Sequence, residues 1–169
     1  VEAATDSPVQ HQLVQYRQSD LDLITELAAR CGLYFTLRDD VLHILTLQGI
    51  ASPVALALGS SMLEARIDVN TDTACRRVDT SGWDPWHAEV HSGRADEPRV
   101  GRRVEVSVAQ DSVGGSGERV VVDEAVQGDQ QAEAISQAEL DRRVASEVTL
   151  WGVADGDPRL RPGTTVEVE

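Results

Sequence analysis

The chain has 169 residues, 41% of them hydrophobic, enough for one substantial core or two small ones. Its formal charge is −14, from 29 acidic residues against 15 basic ones, and every basic residue is an arginine. The acidic balance argues against nucleic-acid binding, which needs cations to displace phosphate counterions. The absence of lysine excludes Schiff-base chemistry and a Walker-type phosphate loop.

No run approaches the roughly 20 apolar residues of a membrane-spanning helix, and no segment resembles a signal peptide. The chain opens on Val1 and stops on Glu169 inside an alternating run, so it reads as a portion of a longer protein. Cys31 and Cys75 form no C-x-x-C pair. A disulfide between them is conceivable but not required by the spacing, and the cysteine usage fits a reducing, cytoplasmic origin.

In chain order, residues 1–18 are polar, with a strand expected over 12–16. The segment 19–35, SDLDLITELAARCGLYF, reads as a capped helix, a glycine stop and a strand. Ser19 and Asp22 have the spacing of a capping box. Leu23, Ile24, Leu27, Ala28 and Cys31 recur three or four apart and share one apolar face. Gly32 suits the left-handed residue that ends a helix. Residues 33–38 and 41–47 form a hairpin over Asp39-Asp40, with Leu33, Phe35 and Leu37 on its inner face. Residues 51–61 read as a linker-like crossing. A soft boundary near Gly49 then divides 1–49, part of a first domain, from 50–169, a second.

The second part is strand-rich. Residues 62–69 alternate Leu63, Ala65, Ile67 and Val69 with polar positions, the pattern of a half-buried strand. Strands over 76–83 and 86–91 are broken at Asp84-Pro85, because proline cannot donate to a ladder. Residues 102–109 alternate Val104, Val106 and Val108 inward, GGSG at 114–117 turns, and an extended run follows. A helix fits 130–146, then a strand over 147–153, a turn at Asp155-Gly156 and a last strand to the end. The pattern as a whole is mainly β (α+β). It predicts two antiparallel barrel-like domains, each with a packed helix.

Three segments carry a family resemblance. Residues 19–35 resemble the "ESDLDFI.RLAE..G.YF" stretch of phage late control gene D proteins and the valine–glycine repeat spike proteins of type VI secretion. Residues 82–86, GWDPW, resemble the family's Gly-Trp-Asp-Pro strand end, and residues 155–166, DGDPRLRPGTTV, its "GDPRLRPG..V" run. The matching positions are Ser19, Asp20, Leu21, Ile24, Gly32, Tyr34 and Phe35, then Gly82, Trp83, Asp84 and Pro85, then Gly156, Asp157, Pro158, Leu160, Pro162 and Gly163. The resemblance implies a hub or spike-base component of a contractile injection machine. Such a component is a homotrimer joining tail tube to spike, made in the cytoplasm and carried in a tail particle, with no cofactor and no enzymatic activity. Its barrels are arranged around a threefold axis.

One constellation looks catalytic. In HAEVH, residues 87–91, a continuous strand would turn His87, Glu89 and His91 to one face, an arrangement able to hold zinc. The competing function is therefore a metal-dependent hydrolase or effector domain. A strand with a solvated polar face has the same pattern. Asp155 and Asp157 lack the further ligands of a calcium loop, and no serine sits in a nucleophile elbow. Among the tryptophans, Trp83 is expected in the core. Trp151 points away from the Val148/Leu150 face and is a candidate contact residue. On a helical wheel of 130–146, Ala134, Ile135, Ala138 and Ala145 oppose Leu140 and Val144. Two apolar stripes imply two partners: the chain's own sheet and either a neighbouring subunit or a second element of the same chain.

Overall fold

The computed structural model describes residues 2–3, 13–70, 74–100, 117–122 and 125–169. A short strand, β1 (Glu2–Ala3), pairs parallel with a later hairpin. Residues 13–16 have no regular structure, so the strand expected there does not form. Helix α1 (Asp20–Arg30) starts on the expected box: Ser19 Oγ accepts from Asp22 N at 3.2 Å, and Asp22 Oδ2 accepts from Ser19 N at 3.2 Å. Gly32 closes it at φ +67°. The helix face is less covered than its periodicity implies, since no α1 residue is fully buried and Ile24 is 45% exposed.

The hairpin β2 (Tyr34–Arg38) and β3 (Val41–Leu45) turns on Asp39 and Asp40, both at positive φ, as a two-residue turn matched to strand twist demands. Leu33 and Leu45 are buried, whereas Leu37 lies exposed. Residues expected to be a linker instead form β4 (Ile50–Leu56), which runs parallel to the last strand of the chain. Proline is tolerated there because Pro53 lies in the stretch where the register shifts.

Strand β5 (Met62–Val69) has its expected bounds but not its expected burial. Its side chains Leu63, Ile67 and Val69 are exposed, because among the described residues the ladder has only two strands. Strands β6 (Arg77–Asp84) and β7 (Glu89–Ala95) form an antiparallel pair, and β8 (Glu118–Val121) joins β6 in parallel. The strand expected over 102–109 lies outside the described residues. Helix α2 (Asp129–Glu147) follows, then β9 (Val148–Ala154), which pairs with β5, and β10 (Thr164–Val168), which pairs with β4.

Over the described residues the fold is mainly β with two helices. Among the described residues the strands make ladders of two or three, and none closes into a barrel. The pairs β1–β3, β4–β10 and β6–β8 are parallel, so the all-antiparallel expectation fails. Long crossovers bring these partners together, and short turns cannot.

Helix α2 is the centre of the packing. Leu140, 0% exposed, lies with Cys75, Val78 and Ala95, and Val144 packs on the same cluster. Ala132 and Ile135 form a second cluster with Val126, and Ala138 meets Gly32 beyond α1. Leu140 and Ile135, on opposite stripes of α2, are therefore both buried by the chain itself. Leu140 lies in the chain's own core and Val144 packs against it, the arrangement expected of a stripe covered by the chain itself rather than by a neighbouring subunit.

Candidate functional site

Strand β6 alternates cleanly: Val78, Thr80, Gly82 and Asp84 are buried, facing α2. That parity turns Trp83 outward, to 53% exposure, so the expectation of a core tryptophan is wrong. Gly82 and Asp84 hold the inward positions of the GWDPW block. Asp84, 1% exposed, shapes the turn that follows: its Oδ1 accepts from Trp86 N at 2.8 Å and from His87 N at 3.3 Å. Its Oδ2 lies 2.6 Å from His87 Nδ1. Contact with His87, and then the two turn amides, outweigh desolvation and hold the Asp84 carboxyl below the usual aspartate range. The same contact raises the His87 pKa above its ordinary value.

This turn dismantles the HAEVH constellation. His87 sits in the turn, Ala88 has φ +56°, and only Glu89 and His91 are on β7. The strict alternation that would have aligned all three residues is broken by a turn that Pro85 and the Asp84 cap impose. His91 instead bridges to α2: its Nδ1 lies 3.1 Å from Asp129 Oδ1, and its Nε2 lies 4.0 Å from Asp84 Oδ2. Ser92 N donates to the same Asp129 oxygen at 3.2 Å. The Ser92 amide first, and His91 second, hold the Asp129 carboxyl low. Among the described residues no group of three or more such side chains is arranged to hold a metal ion. The geometry suits tethering: an aspartate at the first turn of α2 is anchored to β7.

The other two blocks are also packing devices. In the first, Gly32 brings the chain against α2, since a β carbon there would meet Ala138 Cα at 3.2 Å. Tyr34 lies close to α2, and burial pushes its hydroxyl pKa up. Phe35 is half-buried, Ser19 caps α1, and Asp20 and Leu21 are exposed. In the third, Asp157 accepts from the Arg159 side chain at 2.6 and 3.0 Å and from its amide at 2.8 Å, which lowers the Asp157 pKa to about 2. Leu160 packs on the cluster of Val54, Leu56 and Met62. Gly163, at φ +83°, leaves room for Leu45, whose nearest atom would lie 2.9 Å from a β carbon. Arg38 of β2 donates to Pro162 O at 2.6 Å and to Thr164 Oγ1 at 3.1 Å, tying the hairpin to this loop. Gly156 has open space and no positive φ, and Pro158 is exposed, so neither is demanded by packing.

The blocks thus converge on one framework. The first and second rest on α2, and the third closes back on the hairpin. Sequence reasoning missed Arg38, Gly93 and Asp129, whose partners are on other elements, and Glu139, which gathers Arg142 and Arg143 of its own helix and Arg119 of β8. Both cysteines are free thiols. Among the described residues no helix is long and apolar enough to cross a membrane.

The family described as the Alg8 N-terminal domain matches residues 1–169. No curated protein is significantly similar to the chain. Among solved structures, the 43 kDa tail protein of prophage MuSo2 from Shewanella oneidensis is similar with a TM-score of 0.61 and 18% identity, over 99% of this chain and 48% of that one. The tail protein from Neisseria meningitidis MC58 is similar with a TM-score of 0.62 and 18% identity, over 99% of this chain and 50% of that one. The chain spans about half the length of these two proteins. At such identity the likeness is one of fold, and the fold is that of phage tail proteins. The family that matches has a description other than late control gene D.

Proposed function

The chain belongs to the Alg8 N-terminal domain family, and from that premise we propose that it is a structural component of a contractile injection machine. The observation that carries this reading is the tail-protein fold along 99% of the chain. Its finer content follows the three sequence blocks. The chain is part of the late control gene D and valine–glycine repeat group, a hub or spike-base segment that assembles as a homotrimer between tail tube and spike. It is made in the cytoplasm, incorporated in a tail particle, and acts by assembly rather than catalysis.

The barrel-like organisation belongs to the same proposal: residues 1–49 contribute to a first unit and residues 50–169 to a second. The blocks that pack on α2 and on the hairpin keep a rigid frame, and rigidity is what an adaptor needs. Trp151, 68% exposed on the β5–β9 ribbon, is a contact for a neighbouring chain.

Sedimentation of the full-length protein, alone and with the tube protein, tests the reading. A mass of three chains and retention of the tube protein are expected. A monomer that retains none overturns it. Reproducible protease, lysozyme or nuclease turnover lost in His87→Ala or His91→Ala would support the hydrolase instead.

A further inference from the structure

Between α1, α2 and β8 lies a cleft of about 390 Å³, lined by Arg30, Arg119 and Arg142, by Glu26, which pairs with Arg30 at 2.8 Å, and by Val121 and Ile135. Glu139 also lines it and holds three guanidiniums. Arg142 donates to it through Nε at 3.1 Å and again through Nη2, Arg143 donates through Nε at 2.6 Å, and Arg119 Nε lies 3.6 Å away. Glu26 offsets Arg30, and Glu139 offsets one of the three charges around it, which leaves the arginines in excess. Burial pushes the Glu139 pKa up, yet Arg142 and Arg143 outweigh it and hold the carboxyl ionised at a value below the usual one. In a chain of formal charge −14, the surroundings of Glu139 are locally positive.

We infer that this cleft takes an aspartate or glutamate side chain from a second copy of the chain. The inference rests on the proposal that the protein self-assembles, and it names the contact. Copies with 29 carboxylates against 15 arginines repel one another and present mostly carboxylates to a neighbour. Assembly then needs places of opposite sign. The side chains of Arg119 and Arg142 are more than half exposed. A guanidinium has five N–H donors, and two of those on Arg142 go to Glu139. The remainder match a carboxylate in a forked pair, while Val121 and Ile135 cover its methylene stem.

Sedimentation velocity on the full-length protein compares wild type with the double variant Arg119→Gln, Arg142→Gln, and with Arg94→Gln on β7 as control, an exposed arginine away from both the cleft and Trp151. The double variant is expected to weaken association about tenfold or more. Its melting temperature should hold, because Arg143 keeps its pair with the half-buried Glu139 at 2.6 Å. The control should match wild type. A hexaglutamate peptide should compete with wild-type assembly, a readout that needs no substitution. A wild type and double variant that assemble equally, or an assembly indifferent to the peptide, overturn the cleft contact while self-assembly stands. A wild type that stays monomeric overturns both.

Discussion

Gly93 of β7 and Ala132 of α2 touch backbone to backbone. A β carbon on Gly93 would stand 2.3 Å from the Ala132 carbonyl carbon and 2.2 Å from Glu133 N. The contact is extended by Ser136, whose Oγ–H donates to the Gly93 carbonyl at 3.1 Å and lies 2.7 Å from Thr80 Oγ1. Thr80 and Ser136 are both buried, so each hydroxyl needs the other. The helix therefore sits closer to the sheet than any side chain at residue 93 would permit.

Gly93→Ala should accordingly cost about 3 kcal/mol or more, the upper end of overpacking penalties, because backbone rather than a flexible side chain must move. Gly156→Ala, with open space and no positive φ, should stay within about 0.5 kcal/mol. Urea denaturation checks both.

Truncation of the two helices should separate them. Leu140→Ala removes a fully buried side chain and should destabilise by about 2–5 kcal/mol. Ile24→Ala, at a half-covered position of α1, should cost less than about 1 kcal/mol. Leu140→Glu should unfold the chain rather than dissociate an assembly, which circular dichroism distinguishes from a folded monomer.

The Asp84–His87 pair sets a pH dependence with two limbs. The raised His87 pKa means that its contribution is fully present below the ordinary histidine value of 6.5 and is lost as pH rises through the higher folded value. The lowered Asp84 pKa means that its contribution is present above 3.8 and is lost as pH falls through the folded value. Proton NMR should give a His87 midpoint above 6.5 that moves down in Asp84→Asn.

The Asp157–Arg159 pair should titrate independently. The Asp157 carboxyl should show a midpoint of about 2 by carbon NMR, and it should climb toward 3.8 in Arg159→Gln. The stabilising effect of this pair is present above 3.8 and fades as pH falls toward 2. An unchanged midpoint in the variant would remove the pairing as the cause.

Features set by neighbours in the chain were legible in the sequence. The Ser19–Asp22 box, the Asp39-Asp40 turn and the bounds of β5 and α2 depend on a few adjacent residues. What failed depends on distant partners. Strand β4 contains Pro53 and, among the described residues, pairs only with β10, more than a hundred residues on, so it looked like a linker. The inward face expected of β5 stays open because, among the described residues, its ladder stops at two strands. The histidine pair was misread because a side-chain cap, invisible to periodicity, bends the chain between His87 and Glu89. Gly93 and Asp129 gave no signal at all, since what they touch is set by the docking of α2.

Three-dimensional averaging of electron images of purified particles that contain the full-length protein tests the central claim most directly. The account predicts three copies around the tail axis, where the tube ends and the spike begins, with the tail-protein fold of residues 1–169 fitting the density. Particles that form with intact tube and spike but hold no copy of the chain at that junction would contradict it.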